Sequence, residues 1–168
     1  KPKVTPLKLI PFPKESTNSL LSWIRNAEEL QFWSGNTFKN GLNKEIFLRH
    51  LQRNDLYSFS FRGDSSSLLA YGEVVQGKNN QAVLCRVIVN PRERRKGIGK
   101  QFVADVIEWV FDEKKMYKIT LNALGNNLPA RKCYLSLDFR IIGVKRNYRW
   151  VSNQWRDLVV MEKLSAQA

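Results

Sequence analysis

The sequence is poor in cysteine and histidine and has no long apolar run. Two cysteines, Cys85 and Cys133, are too few for a disulfide scaffold, and with the single His50 they lack the spacing of a zinc site. No apolar stretch approaches the roughly 20 residues that cross a bilayer, and the first residues lack the apolar core of a signal peptide. These absences exclude membrane proteins, secreted cystine-rich scaffolds and histidine-rich metal enzymes. They predict a cytoplasmic protein that binds neither a metal nor a membrane.

Acidic residues are scarce relative to basic ones. The 168 residues include 28 Lys+Arg and 15 Asp+Glu, which gives a net charge of +13. Residues 85–168 hold 17 of the basic residues and 8 of the acidic ones. The excess predicts an anionic partner such as a nucleic acid, an acidic protein or a phosphorylated cofactor. The length and the 43% hydrophobic content predict one globular domain over residues 1–168.

Hydrophobic periodicity predicts an α/β (α+β) fold. The order is one strand, two helices, three strands, a helix, a strand, a helix and two strands, which favours a single mixed, mostly antiparallel sheet flanked by helices on both faces. The predicted strands cover residues 7–12, 56–61, 68–75, 82–89, 118–124, 139–149 and 155–164. The predicted helices cover residues 17–30, 43–53, 98–113 and 128–137, and loops are expected at 31–43 and 150–154.

A basic glycine turn follows the most apolar predicted strand. The segment runs Arg92-Glu93-Arg94-Arg95-Lys96-Gly97-Ile98-Gly99-Lys100 into the clearest helix. The first N–H groups of a helix lack intrahelical partners, and glycine allows an anion to approach the backbone closely. This pattern predicts an anion site; the alternative is a solvated charge run at a turn. It matches neither a P-loop nor a dinucleotide-binding fingerprint.

Two motifs in the second half of the chain resemble those of one enzyme superfamily. The spacing Arg94-x-x-Gly97-x-Gly99 resembles the acyl-coenzyme A pyrophosphate loop of the GCN5-related N-acetyltransferases. The segment Asn127-x-x-Ala130-x-x-x-Tyr134-x-x-x-x-Phe139 resembles the next motif of that superfamily. Residues 33–38 and 155–158 look loosely like a bacterial branch near the ribosomal-protein N-terminal acetyltransferases. Asp138 stands where the superfamily usually has glycine.

The resemblance implies an acetyl-CoA-dependent N-acetyltransferase. The acetyl group would pass directly to a primary amine, on a protein N-terminus, a lysine or a small molecule, through a tetrahedral intermediate. Tyr134 would be the general acid that protonates the coenzyme A thiolate. Residues implied in binding acetyl-CoA are Val87 and Val89 along the pantetheine arm, Arg94, Arg95, Lys96, Gly97, Ile98, Gly99 and Lys100 at the pyrophosphate, and Asn127, which binds the cofactor or holds the neighbouring strand.

The general base is not located by the resemblance. The positions that hold a catalytic Glu in several relatives are Val83 and Asn122 here. Glu73 is the only acidic residue in a predicted central hairpin strand, so it is the candidate base. The alternatives are that Glu73 faces solvent and that a chain of waters takes the proton. His50 is expected to be an ordinary surface or packing residue.

The implied acceptor site lies at the two loops, 31–43 and 150–154. The aromatic residues there suit an amine pocket, and the alternative is that they fill the core; they are Phe32, Trp33, Phe38, Trp150 and Trp155. The basic charge disfavours a polyamine acceptor unless acidic side chains form a local pocket; the candidates are Glu28, Glu29, Asp55 and Glu73.

A second functional class remains open, because the basic residues between Arg131 and Arg156 have no role in the motifs. They favour a ribosomal or nucleic-acid context. The alternative function is a basic module that binds RNA or an acidic partner, retains the fold and has lost catalysis. The oligomeric state, monomer or homodimer, stays open.

Overall fold

A computed structural model describes residues 7–167, which form a seven-stranded sheet in the order β1-β2-β3-β4-β5-β7-β6. The predicted mixed, mostly antiparallel sheet flanked by helices is confirmed. The strands are β1 (Ile10–Pro11), β2 (Leu56–Arg62), β3 (Leu68–Gln76), β4 (Gln81–Val89), β5 (Lys118–Leu124), β6 (Arg140–Val151) and β7 (Gln154–Leu164). The α-helices are α1 (Thr17–Leu21), α2 (Ala27–Ser34), α3 (Lys44–His50), α4 (Ile98–Glu108) and α5 (Leu128–Ser136).

A wedge opens in the sheet between β4 and β5. These two strands are parallel and pair only where Gln81–Val83 faces Lys118–Thr120. The other neighbouring strands in the sheet pair antiparallel, and β5 pairs with β7 along its whole length. Beyond Val83, β4 therefore leaves β5 and opens a cleft at the carboxyl ends of both strands.

Helices cover the two faces of the sheet. On one face, α4 packs Phe102, Val103 and Val106 into the main apolar cluster, together with Phe59 and Phe61 of β2. On the other face, α1, α2 and α3 surround a second, aromatic cluster. That cluster includes Phe12, Leu20, Trp23, Phe38, Phe47, Leu68 and Tyr71, with Trp33 packed against it. Within residues 7–167, no helix is both long enough and apolar enough to span a bilayer.

The first predicted helix, over residues 17–30, is wrong in its extent. The chain breaks between Leu21 and Ala27, and α2 starts anew because the Asn26 side chain accepts a hydrogen bond from the Glu29 N–H at 2.8 Å. The Glu29 carboxylate in turn accepts from the Arg25 N–H at 2.8 Å. As a result α2 runs into the predicted loop 31–43 and ends at Gly35, which has a φ of +57°.

Other boundaries also differ from the prediction: the first strand, predicted over 7–12, covers only Ile10–Pro11, and the helix predicted over 43–53 covers Lys44–His50. The predicted helix 98–113 is α-helical only to Glu108 and then widens into a π-helical turn, Trp109–Glu113. The predicted loop 150–154 is a tight turn in which Ser152 and Asn153 both have positive φ, at 55° and 60°. Both central residues of a type I′ hairpin turn need that conformation, so β6 and β7 extend almost to the turn.

Candidate active site

Two cavities meet in the wedge between β4 and β5. The larger, about 830 Å³, lies between the glycine turn and α5. The smaller, about 290 Å³, lies between the end of α2 and the two splayed strands. Both are lined by Val87, Asn127, Ala130 and Tyr134. The two cavities therefore adjoin at a wall that includes the Tyr134 side chain.

The glycine turn ends in an open helix N-terminus. Gly97, at the N-cap of α4, has a φ of +79°, and no side chain caps the helix. A Cβ on Gly97 would meet nothing within 4 Å, whereas a Cβ on Gly99 would lie 3.2 Å from Cγ2 of Val89. Gly97 therefore provides the left-handed turn and Gly99 the close packing of α4 on β4. The unpaired N–H groups of the first turn form a cradle suited to an anion.

Basic side chains surround this cradle. Arg94, Arg95 and Lys100 line the larger cavity with Gly97, Ile98 and Gly99, as the motif predicts. Val87 and Val89 line it from β4. Lys96 is the exception, because it does not line the cavity itself; its Nζ donates at 2.7 Å to Glu93, which does line the cavity. The residues present thus fit a pyrophosphate-bearing cofactor without Lys96.

A β-bulge shapes β4 at the cleft. Tyr71 of β3 pairs with Ile88 and Glu73 with Cys85, so Arg86 and Val87 together face the single residue Gly72. Arg86 adopts a φ of +51° at this bulge. A Cβ on Gly72 would lie 2.6 Å from the Phe102 ring, so only glycine lets α4 approach here. The bulge takes Val87 out of the β3–β4 ladder and places its backbone at the junction of both cavities.

A buried charge network holds the bulge. The Glu73 carboxylate has no exposed surface and accepts hydrogen bonds from Nε of Arg86 and from the Tyr71 hydroxyl, the latter at 2.5 Å. Nε2 of His50 lies 3.1 and 3.0 Å from its two oxygens. Burial alone would raise the pKa of Glu73, but the His50 hydrogen bond and the Arg86 charge outweigh burial and lower it. The indole N–H of Trp33 donates to the Arg86 carbonyl at 2.9 Å.

The structure corrects two expectations in this region. Glu73 is buried and does not face solvent. It also lines neither cavity, so the candidate base does not lie at the wall of the wedge. His50 is more than a surface or packing residue, since Nε2 of its buried ring is hydrogen-bonded to the Glu73 carboxylate. No local sequence pattern predicts this pair, because the two residues are 23 positions apart on different elements.

The aromatic residues of the two predicted loops have different fates. Trp33 stacks on Phe38 at 6.0 Å. Phe38 belongs to the aromatic cluster, whereas Trp33 packs against that cluster and, with Phe32, lines the smaller cavity. Trp150 and Trp155 are about half exposed and contact each other at 5.6 Å near the tip of the β6–β7 hairpin. Phe32 and Trp33 therefore form part of the wall of the smaller cavity, whereas Trp150 and Trp155 do not line it.

Tyr134 is fixed at the shared wall by its helix. The Asn127 side chain caps α5 by accepting from the Ala130 N–H at 3.4 Å, and the Tyr134 ring packs edge-on against buried Phe139 at 5.7 Å. Burial raises the pKa of the Tyr134 hydroxyl above its ordinary value. The hydroxyl is therefore protonated at neutral pH. Asp138 adopts a φ of +67°, which explains why glycine is usual at this position.

Among residues 7–167, no aspartate or glutamate lines the smaller cavity. Val83 and Asn122, at the positions where several relatives hold a glutamate, line it from β4 and β5. Cys85 also lines it, but burial raises the pKa of its thiol to about 12, so the thiolate is scarce at neutral pH. Within residues 7–167, no group of three or more His, Cys, Asp or Glu is placed to hold a metal ion.

Comparison with known proteins identifies the family. The model of the acetyltransferase (GNAT) family matches residues 20–139, so the chain belongs to that family and is an acetyl-CoA-dependent N-acetyltransferase. The spermidine N-acetyltransferase of Vibrio cholerae in complex with CoA and spermine superposes with a TM-score of 0.82 and 16% identity, over 94% of this chain and 95% of that chain.

A second solved structure shares the fold. It is the spermidine/spermine N-acetyltransferase SpeG from Vibrio cholerae in complex with manganese ions, with a TM-score of 0.76 and 17% identity over 94% of this chain and 92% of that chain. No curated protein sequence matches this chain. At such identity the structural likeness shows the fold, and the acceptor must be inferred from this chain's own residues.

Proposed function

We propose that this enzyme transfers the acetyl group of acetyl-CoA directly to a primary amine within the wedge between β4 and β5. The observation that carries the proposal is the junction of the two cavities at Val87 and Tyr134. The larger cavity has the size and the anion cradle for the cofactor, and the smaller one has room for an amine beside it. The family and the neighbour solved with CoA support the same assignment.

The cofactor would be bound by the backbone of the glycine turn. The free N–H groups of the first turn of α4 would hold the pyrophosphate, with Arg94, Arg95 and Lys100 adding favourable charge. The pantetheine arm would then run along Val89 and Val87 toward Tyr134. The β4 bulge would leave backbone N–H groups near Val87 free to polarise the thioester carbonyl and stabilise the oxyanion.

The transfer step needs one proton donor and one proton acceptor. The neutral amine attacks the thioester carbonyl carbon and forms a tetrahedral intermediate, which collapses as the carbon–sulfur bond breaks. The Tyr134 hydroxyl donates its proton to the departing sulfur. The amine proton leaves to water, because no carboxylate lines the smaller cavity. Glu73 positions Arg86 and thereby the bulge, and takes no part in proton transfer.

A pair of measurements tests this function. Titration calorimetry should show acetyl-CoA binding, and thiol release should depend on an added amine. Tyr134→Phe should lower kcat by roughly 10²- to 10⁴-fold while the Kd for acetyl-CoA stays unchanged, since only the proton donor is lost. Tyr117→Phe, at a tyrosine outside both cavities, is the matched control. Failure to bind millimolar acetyl-CoA would refute the proposal.

A further inference from the structure

The wall of the smaller cavity is cationic. Its charged lining residues are Arg86 and Arg149, with no aspartate or glutamate. None of the four acidic residues considered for a polyamine pocket, Glu28, Glu29, Asp55 and Glu73, lines this cavity, and three of them are paired with arginines. Glu73 is buried under Arg86, Glu29 is paired with Arg25 at 2.9 Å, and Asp55 is paired with Arg53 at 2.9 Å. This chain therefore shares the fold of spermidine acetyltransferases. Among its described residues, however, no carboxylate lines this cavity to pair with a polyamine.

One of the two arginines retains an uncompensated charge. The guanidinium of Arg86 faces the Glu73 carboxylate, whereas no carboxylate within residues 7–167 lies within 4.0 Å of Arg149. Gly35 makes room for the Arg149 guanidinium. A Cβ on Gly35 would lie 2.7 Å from Nη1 of Arg149. A side chain at position 35 would therefore displace the Arg149 guanidinium from its present position.

A second cation lies opposite Arg149 in the sheet. Arg149 of β6 pairs in register with Arg156 of β7, so the two side chains share one face of the hairpin. Like charges directly opposite each other destabilise a sheet. Nε of Arg156 is also buried without a hydrogen-bond partner in the described part of the chain. An anion at this face would relieve the repulsion between the two guanidinium groups.

We propose that the acceptor, given the acetyl transfer inferred above, is a small primary amine that carries a carboxylate or a phosphate, and that Arg149 recognises this anion. The volume of about 290 Å³ is at the lower end of ligand pockets and suits a small molecule. The amine would face Tyr134 on the α5 wall, and the anion would face Arg149 on the β6 wall. Guanidinium pairs well with carboxylate and phosphate because its N–H donors match their oxygens.

Matched acceptors test the proposal through kcat/KM in a thiol-release assay. L-alanine is compared with L-alaninamide, and O-phosphoethanolamine with ethanolamine, so that the two pairs separate carboxylate from phosphate recognition; spermidine is the polycationic comparison. At least one anionic acceptor should exceed its uncharged partner by roughly 10- to 100-fold, as expected for a charge-assisted hydrogen bond. Higher kcat/KM for spermidine or for the uncharged partners would overturn the proposal.

Variants test whether Arg149 is the source of the preference for anionic acceptors. Arg149→Gln should abolish the preference by raising KM for the anionic acceptor, and Arg149→Lys should retain part of it. Arg146→Gln is the control, because Arg146 lies on the same strand, is 81% exposed and pairs with Asp157 outside the cavity. A preference that survives Arg149→Gln would refute the role of Arg149. Acetyl-CoA binding without acetylation of any amine in the panel would instead refute the proposed function.

Discussion

The buried Glu73 carboxylate shows how one residue can shape an active site from outside it. Its hydrogen bonds to Arg86, His50 and Tyr71 join β4, α3 and β3. Since Arg86 lies on the bulge, Glu73 holds the strand whose backbone would face the thioester in the proposed reaction. A carboxylate with all its oxygens engaged and a lowered pKa is a poor proton acceptor, which favours positioning over base catalysis.

Glu73→Gln should destabilise the protein by about 3–5 kcal/mol at pH 7, because Arg86 would lose its buried counter-ion. The lowered pKa of folded Glu73 gives a stabilisation that is present above the unfolded value of about 4.3 and is lost as pH falls through the folded pKa. Urea unfolding between pH 7 and pH 3 should therefore show the difference from wild type shrinking in acid.

Two comparisons sharpen this prediction. Glu45→Gln is the matched control, because Glu45 is exposed and makes only a surface pair with Arg49, so its stability should stay close to wild type. The pH profile of kcat should keep its shape in Glu73→Gln. Loss of an acidic limb in that profile, with folding intact, would show instead that Glu73 is the general base.

At the scale of elements, the glycine turn and α4 act as one unit. Gly97 provides the left-handed conformation that sets the direction of the helix, and Gly99 lets α4 pack on Val89. The bulge in β4 and Gly72 in β3 then allow Phe102 of α4 to approach the sheet. The packing of α4 on the sheet therefore sets the position of the anion cradle relative to the bulge.

Gly97→Ala should weaken acetyl-CoA binding about 5- to 30-fold. The reason is that a non-glycine residue at φ +79° costs about 1–2 kcal/mol, and relieving that strain would move the N–H groups of the cradle. Gly143→Ala is the control, since Gly143 has no positive φ and open space at its Cβ. Calorimetric Kd values for acetyl-CoA check this, and equal affinity in both variants would contradict the role of the turn.

For the whole molecule, the net charge of +13 should attract the anionic cofactor. We expect kcat/KM for acetyl-CoA to fall by roughly three- to tenfold as NaCl rises from about 50 to 500 mM, because salt screens long-range attraction. The kcat at saturating acetyl-CoA should change little. Stopped-flow or steady-state kinetics at several salt concentrations measure this, and a flat profile would show that the charge serves another partner.

The alternative function, a basic module that binds RNA, also predicts a dependence on salt concentration. An RNA gel shift with a steep salt dependence, unaffected by saturating acetyl-CoA, would show a second use of the charge. Competition between RNA and acetyl-CoA would show that both use the glycine turn. In either case, some of the basic residues from Arg131 to Arg156 would bind nucleic acid, while Arg149 would serve the acceptor site.

Signals within short stretches of sequence determined much of this protein. Glycine and basic residues at fixed spacing predicted the turn at 94–100, and periodicity predicted the central strands and α4. These succeed because a turn, a helix cap or an amphipathic face depends on neighbouring residues. The Asn26-x-x-Glu29 cap that splits the first predicted helix was also visible in the sequence, although the apolar periodicity around it favoured one continuous helix.

Contacts between distant residues were decided by the tertiary structure alone. The hydrogen bonds of Glu73 join residues 13 and 23 positions apart. The Arg149–Arg156 pair depends on the register of two strands. Burial makes the Glu73 carboxylate a structural counter-ion, because a charge withdrawn from water needs a partner. The absence of a carboxylate beside Arg149 within residues 7–167 is the basis for proposing that Arg149 binds an anion. The sequence determined that this chain handles acetyl-CoA, whereas the packing around the cleft decides which amine it can accept.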